Sequence, residues 1–171
     1  VIATTRVIDY ENIAVFPHFY ELYVVAFDGV MTSAPLAVPF NIIDVNDNAP
    51  EFEKQLYPIS VLENKAAGFV YLTVHAADAD EDGNALIATY EIVNPSAYPQ
   101  ITIEASTGKL MTTSEPLNRE ALDSILLTVK ATDVGGLFST AQVAITVLDE
   151  NDNAPEFLNL PAAVEVSETA E

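Results

Sequence analysis

Short apolar segments, rich in β-branched and aromatic residues, recur along the chain and are separated by polar turn-forming residues. In SILLTVKA (124–131), Leu127, Val129 and Ala131 alternate with more polar positions, which is the period of a strand with one buried face. Similar segments are ELYVVAF (21–27), LAVPFNII (36–43), YPISVLE (57–63), FVYLTVHA (69–76) and AQVAITVL (141–148). None sustains an apolar stripe of helical period, so the pattern predicts an all-β protein.

Turn signals fall between these segments. They are DG (28–29), DEDGN (80–84), NPS (94–96), STG (106–108) and GG (135–136). Many short strands with frequent turns are typical of an antiparallel β-sandwich.

An acidic segment occurs twice. DVNDNAPEF (44–52) returns as DENDNAPEF (149–157), at a distance of 151 − 46 = 105 residues. A period of this size is that of a domain, and the sequence before the first copy aligns with the second half of the intervening unit. LPAAVEVSETAE (160–171) echoes QLYPISVLENKA (55–66). We predict the C-terminal part of a first unit at 1–48, a complete second unit at 49–153 and the start of a third at 154–171.

Composition limits the classes of partner. The chain has 26 acidic and 6 basic residues and a net charge of −20, which argues against binding to nucleic acid or to an anionic membrane surface. Cations are the natural partners of such a chain. The absence of cysteine excludes disulfides, thiolate zinc sites and cysteine nucleophiles. No apolar run is long enough to span a membrane, so we expect any anchor to lie outside this sequence.

The carboxylates and amides are concentrated in short motifs near predicted strand ends. These are DYE (9–11), DVNDN (44–48), DADEDGN (78–84) and ATDVGG (131–136). In a sandwich, such loops can converge on the pole where one unit meets the next, and the like charges gathered there require neutralisation. A ligand set of oxygens alone suits a hard cation of high coordination number, Ca²⁺ before Mg²⁺.

DADEDGNALIAT (78–89) fits the first half of an EF-hand loop. Its twelfth position is Thr89, however, where that loop requires a bidentate glutamate. The flanking segments YLTVHAA (71–77) and TYEIVN (89–94) are also predicted as strands instead of helices. An EF-hand is therefore not expected.

The motifs, in this order, resemble those of the extracellular repeats of cadherins. The two acidic segments resemble the linkers between repeats, and DYE, DAD, ATDVGG and VLENKA (61–66) resemble the DRE, DXD, XDX and XEX motifs. The resemblance covers essentially the whole chain. It implies tandem seven-stranded Greek-key, immunoglobulin-like β-sandwich repeats with three calcium ions at each junction, in the extracellular part of a plasma-membrane adhesion protein.

The resemblance also implies which residues bind calcium. For the first junction they are Asp9, Glu11, Asp44, Asn46, Asp47, Asn48, Asp78, Asp80, Asn84 and Asp133, with Val45 contributing its backbone carbonyl. For the second they are Glu63, Glu120, Asp149, Asn151, Asp152 and Asn153, with Glu150 in the carbonyl position. The XEX glutamate of the first junction is expected before Val1, and the remaining ligands of the second are expected beyond Glu171.

Two further positions correspond to family motifs but are not among these ligands. Asn118 in LNRE (117–120) stands where the family has the DRE aspartate, which predicts weaker binding of the outermost ion at the second junction. Asp28 matches the XDX position of the first unit and is expected to face a junction upstream of this chain.

Calcium bound at the junctions would stiffen the row of repeats for cell–cell adhesion, with another cadherin ectodomain as the homophilic or heterophilic partner. The alternative is a recognition module that binds a protein partner or a toxin through its sandwich surfaces. An enzyme is not expected, because His18 and His75 stand apart from any catalytic motif and the carboxylates would be occupied by metal. The chain contains no tryptophan, so the tryptophan-dependent strand swap of some family members is not assigned to it.

Overall fold

The computed structural model of the protein describes residues 8–12, 18–81, 83–158 and 168. In this part of the chain the regular elements are strands, apart from a short 3₁₀ turn at Pro95–Ala97. The strands are β1 (Phe19–Val24), β2 (Leu36–Asn41), β3 (Glu51–Phe52), β4 (Leu56–Leu62), β5 (Val70–Thr73), β6 (Ala76–Ala77), β7 (Ile87–Ile92), β8 (Ile101–Ile103), β9 (Lys109–Thr112), β10 (Ser124–Asp133) and β11 (Phe138–Leu148). The predicted all-β class is confirmed.

Strands β4, β5 and β7 to β11 form a β-sandwich. One sheet has four strands in the order β4-β11-β10-β7, and the other has three in the order β5-β9-β8, which together give the seven strands implied by the resemblance. Strand β4 runs parallel to β11, whereas the other pairs are antiparallel. The two-residue strands β3 and β6 pair at the end of the sandwich where the first acidic segment enters.

The core lies between the two sheets and follows the alternation seen in the sequence. In β10, Ile125, Leu127, Val129 and Ala131 are buried, whereas Leu126, between Ile125 and Leu127, is 53% exposed. In β11 the residues Ala141, Val143, Ile145 and Val147 are buried in the same alternating manner. Leu110 from β9 closes the core from the opposite sheet and is fully buried.

The predicted strand at 69–76 divides into two. Thr73 pairs with Lys109 of β9, whereas Ala76 pairs with Phe52 of β3, so the chain leaves one sheet and joins a different strand within three residues. Val74, at the crossing, is 1% exposed and donates its backbone N–H to the carbonyl of Gly108. The sequence pattern runs through the crossing without a break because the more buried side chains of Leu72, Val74 and Ala76 continue to alternate with exposed ones.

Strands β1 and β2 form a separate antiparallel hairpin. Its register matches that of β10 on β11, since the pair Phe19↔Asn41 corresponds to Ser124↔Thr146 at 124 − 19 = 146 − 41 = 105 residues. The rings of Tyr20 and Phe40 stack with their centroids 5.3 Å apart on the face that corresponds to the core of the sandwich. The repeat inferred from the acidic segments therefore extends to strand pairing.

Candidate metal centre

Acidic side chains from three segments meet between the hairpin and the sandwich. Glu11 lies before β1, Asp44 follows β2, and Asp80 lies in the loop between β6 and β7. One carboxylate oxygen from each lies within 4.8 Å of the others. Sequence segments far apart in the chain thus supply one site.

The segment 44–48, called the first linker below, is tied to the loop at 78–84 by hydrogen bonds. Asp44 Oδ2 accepts from the backbone N–H of Glu81 and from Asn84 Nδ2, both at 3.0 Å. Asn48 donates to Asp80 Oδ1 from its backbone N–H at 3.2 Å and from Nδ2 at 2.7 Å. These hydrogen bonds hold the first linker against the sandwich.

Five carboxylates at this junction keep one buried oxygen that has no hydrogen-bond partner among the described residues. These oxygens are Glu11 Oε1, Asp44 Oδ1, Asp78 Oδ2, Asp80 Oδ2 and Asp133 Oδ2. In four of the five residues the other oxygen accepts a hydrogen bond, which orients the carboxylate. Buried unpaired carboxylate oxygens are costly, so a set of five indicates a place for cations.

The turn after β10 illustrates this orientation. Asp133 is 2% exposed, and its Oδ1 accepts from the backbone N–H groups of Gly136 at 2.6 Å and Leu137 at 2.9 Å. Asp78 Oδ1 accepts from the backbone N–H of Asp80 at 3.1 Å in the same manner. One oxygen of each aspartate holds its own loop, and the second has no hydrogen-bond partner among the described residues.

The charges at the junction act on each other's protonation. Removal from water raises the pKa of Glu11, and the nearby carboxylates Asp44 and Asp47 raise it further. Desolvation also acts to raise the pKa of Asp44, but the hydrogen bonds donated by Asn84 and the backbone of Glu81 outweigh it and lower the pKa. The cluster therefore holds Asp44 as the anion and disfavours a second negative charge on Glu11.

The remaining predicted ligands of the first junction lie around this cluster. Asp9 is exposed and lines a groove with Glu11, Asp47 and Asn48. Asp47 accepts from Asn48 Nδ2 at 3.0 Å. Val45 is 67% exposed and lines an adjoining groove with Glu11 and Asp47. Asn46 is half-buried, and its Nδ2 donates to the backbone carbonyl of Asn84 at 3.3 Å.

A second acidic cluster lies at the opposite end of the sandwich. It consists of Glu63, Glu120 and Asp149, with one oxygen from each within 4.8 Å of the others. Glu63 is fully buried, and its two oxygens accept from the backbone N–H groups of Arg119 at 2.7 Å and Glu150 at 2.8 Å. Glu63 thus fastens the segment 149–153, called the second linker, to the sandwich.

The rest of the second linker is exposed. Asp152 accepts from Asn64 Nδ2 and from Asn153 Nδ2, both at 2.6 Å, while Asn151 and Glu150 are exposed. Phe52, which ends the first acidic segment, is 3% exposed and belongs to the core of the sandwich.

Asn118 and Asp28, the two motif positions not included among the ligands, each accept backbone hydrogen bonds that organise a turn. Asn118 Oδ1 accepts from the backbone N–H of Ala121 at 2.8 Å. Asp28 is exposed, and its Oδ1 accepts from the backbone N–H groups of Met31 at 2.8 Å and Val30 at 2.9 Å, which lower its pKa.

The sequence patterns did not predict three of the contacts at these sites. Glu81 contributes through its backbone N–H, which no side-chain pattern reveals. Asn64 has a left-handed backbone conformation with φ 58° and reaches Asp152; its place directly after the XEX glutamate was the available signal. Gly135 lies against Asn46, although the pair GG was interpreted only as a turn.

Both histidines contact backbone carbonyl oxygens in the part of the chain that the structure describes. His18 stacks on Tyr10 with ring centroids 3.6 Å apart, and its Nε2 lies 2.8 Å from the Tyr10 carbonyl oxygen. His75 is exposed, with Nδ1 2.9 Å from the carbonyl oxygen of Ala76. The described part of the chain contains no helix that is long and apolar enough to cross a lipid bilayer.

The fold and the two acidic clusters define the class of protein: a β-sandwich unit with an acidic linker and a cluster of carboxylates at each end. The family profile described as "Cadherin domain" matches residues 57–148, more than half of the sequence. The chain belongs to the cadherin family, whose domains typically bind calcium.

Individual relatives agree with this assignment. Human Protocadherin Fat 1 is 40% identical over 152 residues, covering 89% of this chain and 3% of that protein. Human Cadherin-2 is 37% identical over 178 residues, covering 98% of this chain and 19% of that protein. The chain therefore spans a small part of the relatives it matches.

Solved structures show the same architecture. The crystal structure of mouse Cadherin-23 EC22-24 aligns with a TM-score of 0.73 and 35% sequence identity, covering 86% of this chain and 46% of that one. The extracellular cadherin domains 1-4 of Protocadherin Gamma B7 align with a TM-score of 0.74 and 31% identity, covering 88% and 36%.

Proposed function

We propose that the protein is a calcium-rigidified segment of the extracellular part of a plasma-membrane adhesion protein. The observation that carries the proposal is the set of five buried carboxylate oxygens without hydrogen-bond partners among the described residues, contributed by the hairpin side, the first linker and the sandwich. A divalent cation bound there would link all three. The chain's own residues would hold it through oxygens alone, which fits calcium.

The ligands proposed for the first junction are those implied by the family motifs, from Asp9 to Asp133. Glu11, Asp44 and Asp80 would form its centre, because their oxygens already converge. The second junction would use Glu63, Glu120 and the second linker, completed by a following repeat. The repeats are proposed to divide at 1–48, 49–153 and 154–171. The role is mechanical, and the partner we propose is another cadherin ectodomain.

Rigidification can be measured directly, because the chain contains no native cysteine. Spin labels on Glu21→Cys in β1 and Thr140→Cys in β11 report the distance between the hairpin and the sandwich. We expect a broad distance distribution in EDTA and a narrow one in millimolar calcium. Labels at Ser60→Cys and Thr140→Cys, both within the sandwich, form the matched control and should show the same width in both conditions. Equal widths for the first pair would contradict the proposal.

The second junction is proposed to bind its outermost ion more weakly because Asn118 is neutral. An aspartate at this position can still accept from Ala121, so Asn118→Asp adds charge without removing the turn. In a polypeptide extended through the third repeat, this substitution should tighten calcium binding at that junction, as measured by calorimetric titration. Unchanged affinity, or equal affinity of both junctions before the change, would contradict the proposal.

A further inference from the structure

Gly135 lies unusually close to the linker residue Asn46. A β-carbon on residue 135 would lie 2.7 Å from Asn46 Nδ2 and nearer still to its Cγ and Oδ1. Real β-carbons do not approach other atoms so closely, because the repulsion rises steeply at such distances. Residue 135 and Asn46 can keep their places only if residue 135 has no side chain.

The turn that carries Gly135 is closed and cannot easily withdraw. Asp133 Oδ1 accepts from the backbone N–H groups of Gly136 and Leu137, and the Asp133 N–H donates to the Leu137 carbonyl at 3.0 Å. Gly135 lies within the loop that these bonds close. Asn46 offers the far end of a flexible side chain, so an added β-carbon would displace the asparagine and leave the turn in place.

The amide of Asn46 is held from a second direction by Asn84. Asn46 Nδ2 donates to the Asn84 backbone carbonyl, and Asn84 Nδ2 donates in turn to Asp44 Oδ2. The contact with Gly135 and the hydrogen bond to the Asn84 carbonyl together fix the plane of the Asn46 amide. They thereby also set the direction of Asn46 Oδ1.

We infer that Gly135 is a positioning residue of the junction: its missing side chain lets the Asn46 amide seat between the turn after β10 and the Asn84 carbonyl. This inference deepens the proposed calcium site and rests on it where it concerns metal affinity. The contact between Gly135 and Asn46 exists without metal and can be tested separately.

The turn itself does not require glycine at this position. The backbone of Gly135 lies outside the left-handed region, in contrast to Gly136 with φ 96°. An alanine at residue 135 is therefore compatible with the backbone of this turn, and the constraint comes from the linker.

A double-mutant cycle tests the inference. Gly135→Ala in the natural sequence should weaken calcium binding roughly tenfold, which is the usual scale for residues that orient metal ligands. In the Asn46→Ala background the same substitution should have no further effect, because the displaced amide is absent. Val134→Ala, an exposed change in the same turn, should leave the affinity as it is in the natural sequence. Additive losses in the cycle would overturn the inference.

The side-chain amide signal of Asn46, followed by NMR in EDTA, gives a readout that needs no metal. Gly135→Ala should shift this signal and Val134→Ala should leave it in place, while both variants keep the melting temperature of the natural sequence in EDTA. An unmoved Asn46 signal would overturn the inference even if calcium binds. If the natural sequence binds no calcium, the proposed function fails, while the amide signal still decides on the contact.

Discussion

At the scale of single residues, Asp80 combines burial, charge and incomplete hydrogen bonding. It is 4% exposed, Asn48 donates to its Oδ1, and its Oδ2 has no partner among the described residues. We expect Asp80→Asn to preserve or raise the melting temperature in EDTA, because the amide keeps an acceptor for Asn48 and removes one of several like charges. The same change should weaken calcium binding by roughly tenfold or more, since affinity follows ligand charge.

Thermal melting in EDTA and calorimetric calcium titration measure the two effects on the same variant. Asp123→Asn is the matched control, because Asp123 is an exposed carboxylate outside both acidic clusters. If Asp80→Asn lowered the melting temperature in EDTA and left calcium affinity unchanged, Asp80 would serve the fold instead of the metal.

Tyr71 provides a residue-scale prediction about pH. Burial raises the pKa of its hydroxyl to about 12, and the hydroxyl has no hydrogen-bond partner among the described residues. Because the folded state favours the neutral phenol, this contribution is present below the unfolded pKa of about 10 and is lost as pH rises from there through about 12. Tyr71→Phe should therefore reduce the loss of stability across that window.

At neutral pH the same variant should be as stable as the natural sequence or up to about 1 kcal/mol more stable, since it removes a buried polar group that lacks a partner. Urea unfolding at a series of pH values measures both effects. Tyr23→Phe is the comparison for the effect of burial, because the Tyr23 hydroxyl is exposed and its pKa is raised chiefly by the hydrogen bond that it donates to Glu21 at 2.7 Å. A steeper loss of stability in Tyr71→Phe at high pH would contradict the prediction.

At the scale of elements, the hairpin and the sandwich contain equivalent positions with different burial. Leu127 in β10 is 2% exposed, whereas Leu22, its equivalent in β1 by the same offset of 127 − 22 = 105 residues, is half-buried. Leu127→Ala should cost about 2–5 kcal/mol of unfolding free energy, as large-to-small core substitutions do. Leu22→Ala should cost clearly less in this chain. Urea unfolding compares them, and equal losses would show that the inner face of the hairpin is covered as fully as the core.

The sequence predicted those elements whose alternation was long and regular. Strands β10 and β11 were found because one face of each is buried along its length. Strands β8 and β9 were not singled out, since three or four residues show too little periodicity, and the crossing near Val74 was hidden within one apolar run. Motif spacing supplied the acidic residues of the site. Backbone donors such as Glu81 and the close approach of Gly135 depend on tertiary contacts that spacing does not encode.

At the scale of the whole molecule, the two acidic linkers are nearly identical in sequence but differ in their surroundings. After the first linker, Pro50 and Phe52 are buried, and Phe52 meets Tyr90 edge to face with ring centroids 6.3 Å apart. The second linker is held at its start by Glu63, whose Oε1 accepts from the backbone N–H of Glu150. The two nearly identical linkers are therefore fastened to the sandwich by different contacts.

The net charge of −20 leads to a prediction about salt and metal together. In EDTA, raising the sodium chloride concentration should raise the melting temperature, because salt shortens the Debye length, about 10 Å at 0.1 M, and screens the repulsion between carboxylates. With calcium bound, the salt effect should become smaller or change sign, since the same screening weakens the attraction between the ion and its ligands. Magnesium at equal ionic strength separates a specific site from general screening, because it prefers smaller octahedral sites and retains its water. Differential scanning fluorimetry across these conditions measures the result: equal stabilisation by magnesium and calcium would show that the acidic junction responds only to ionic strength.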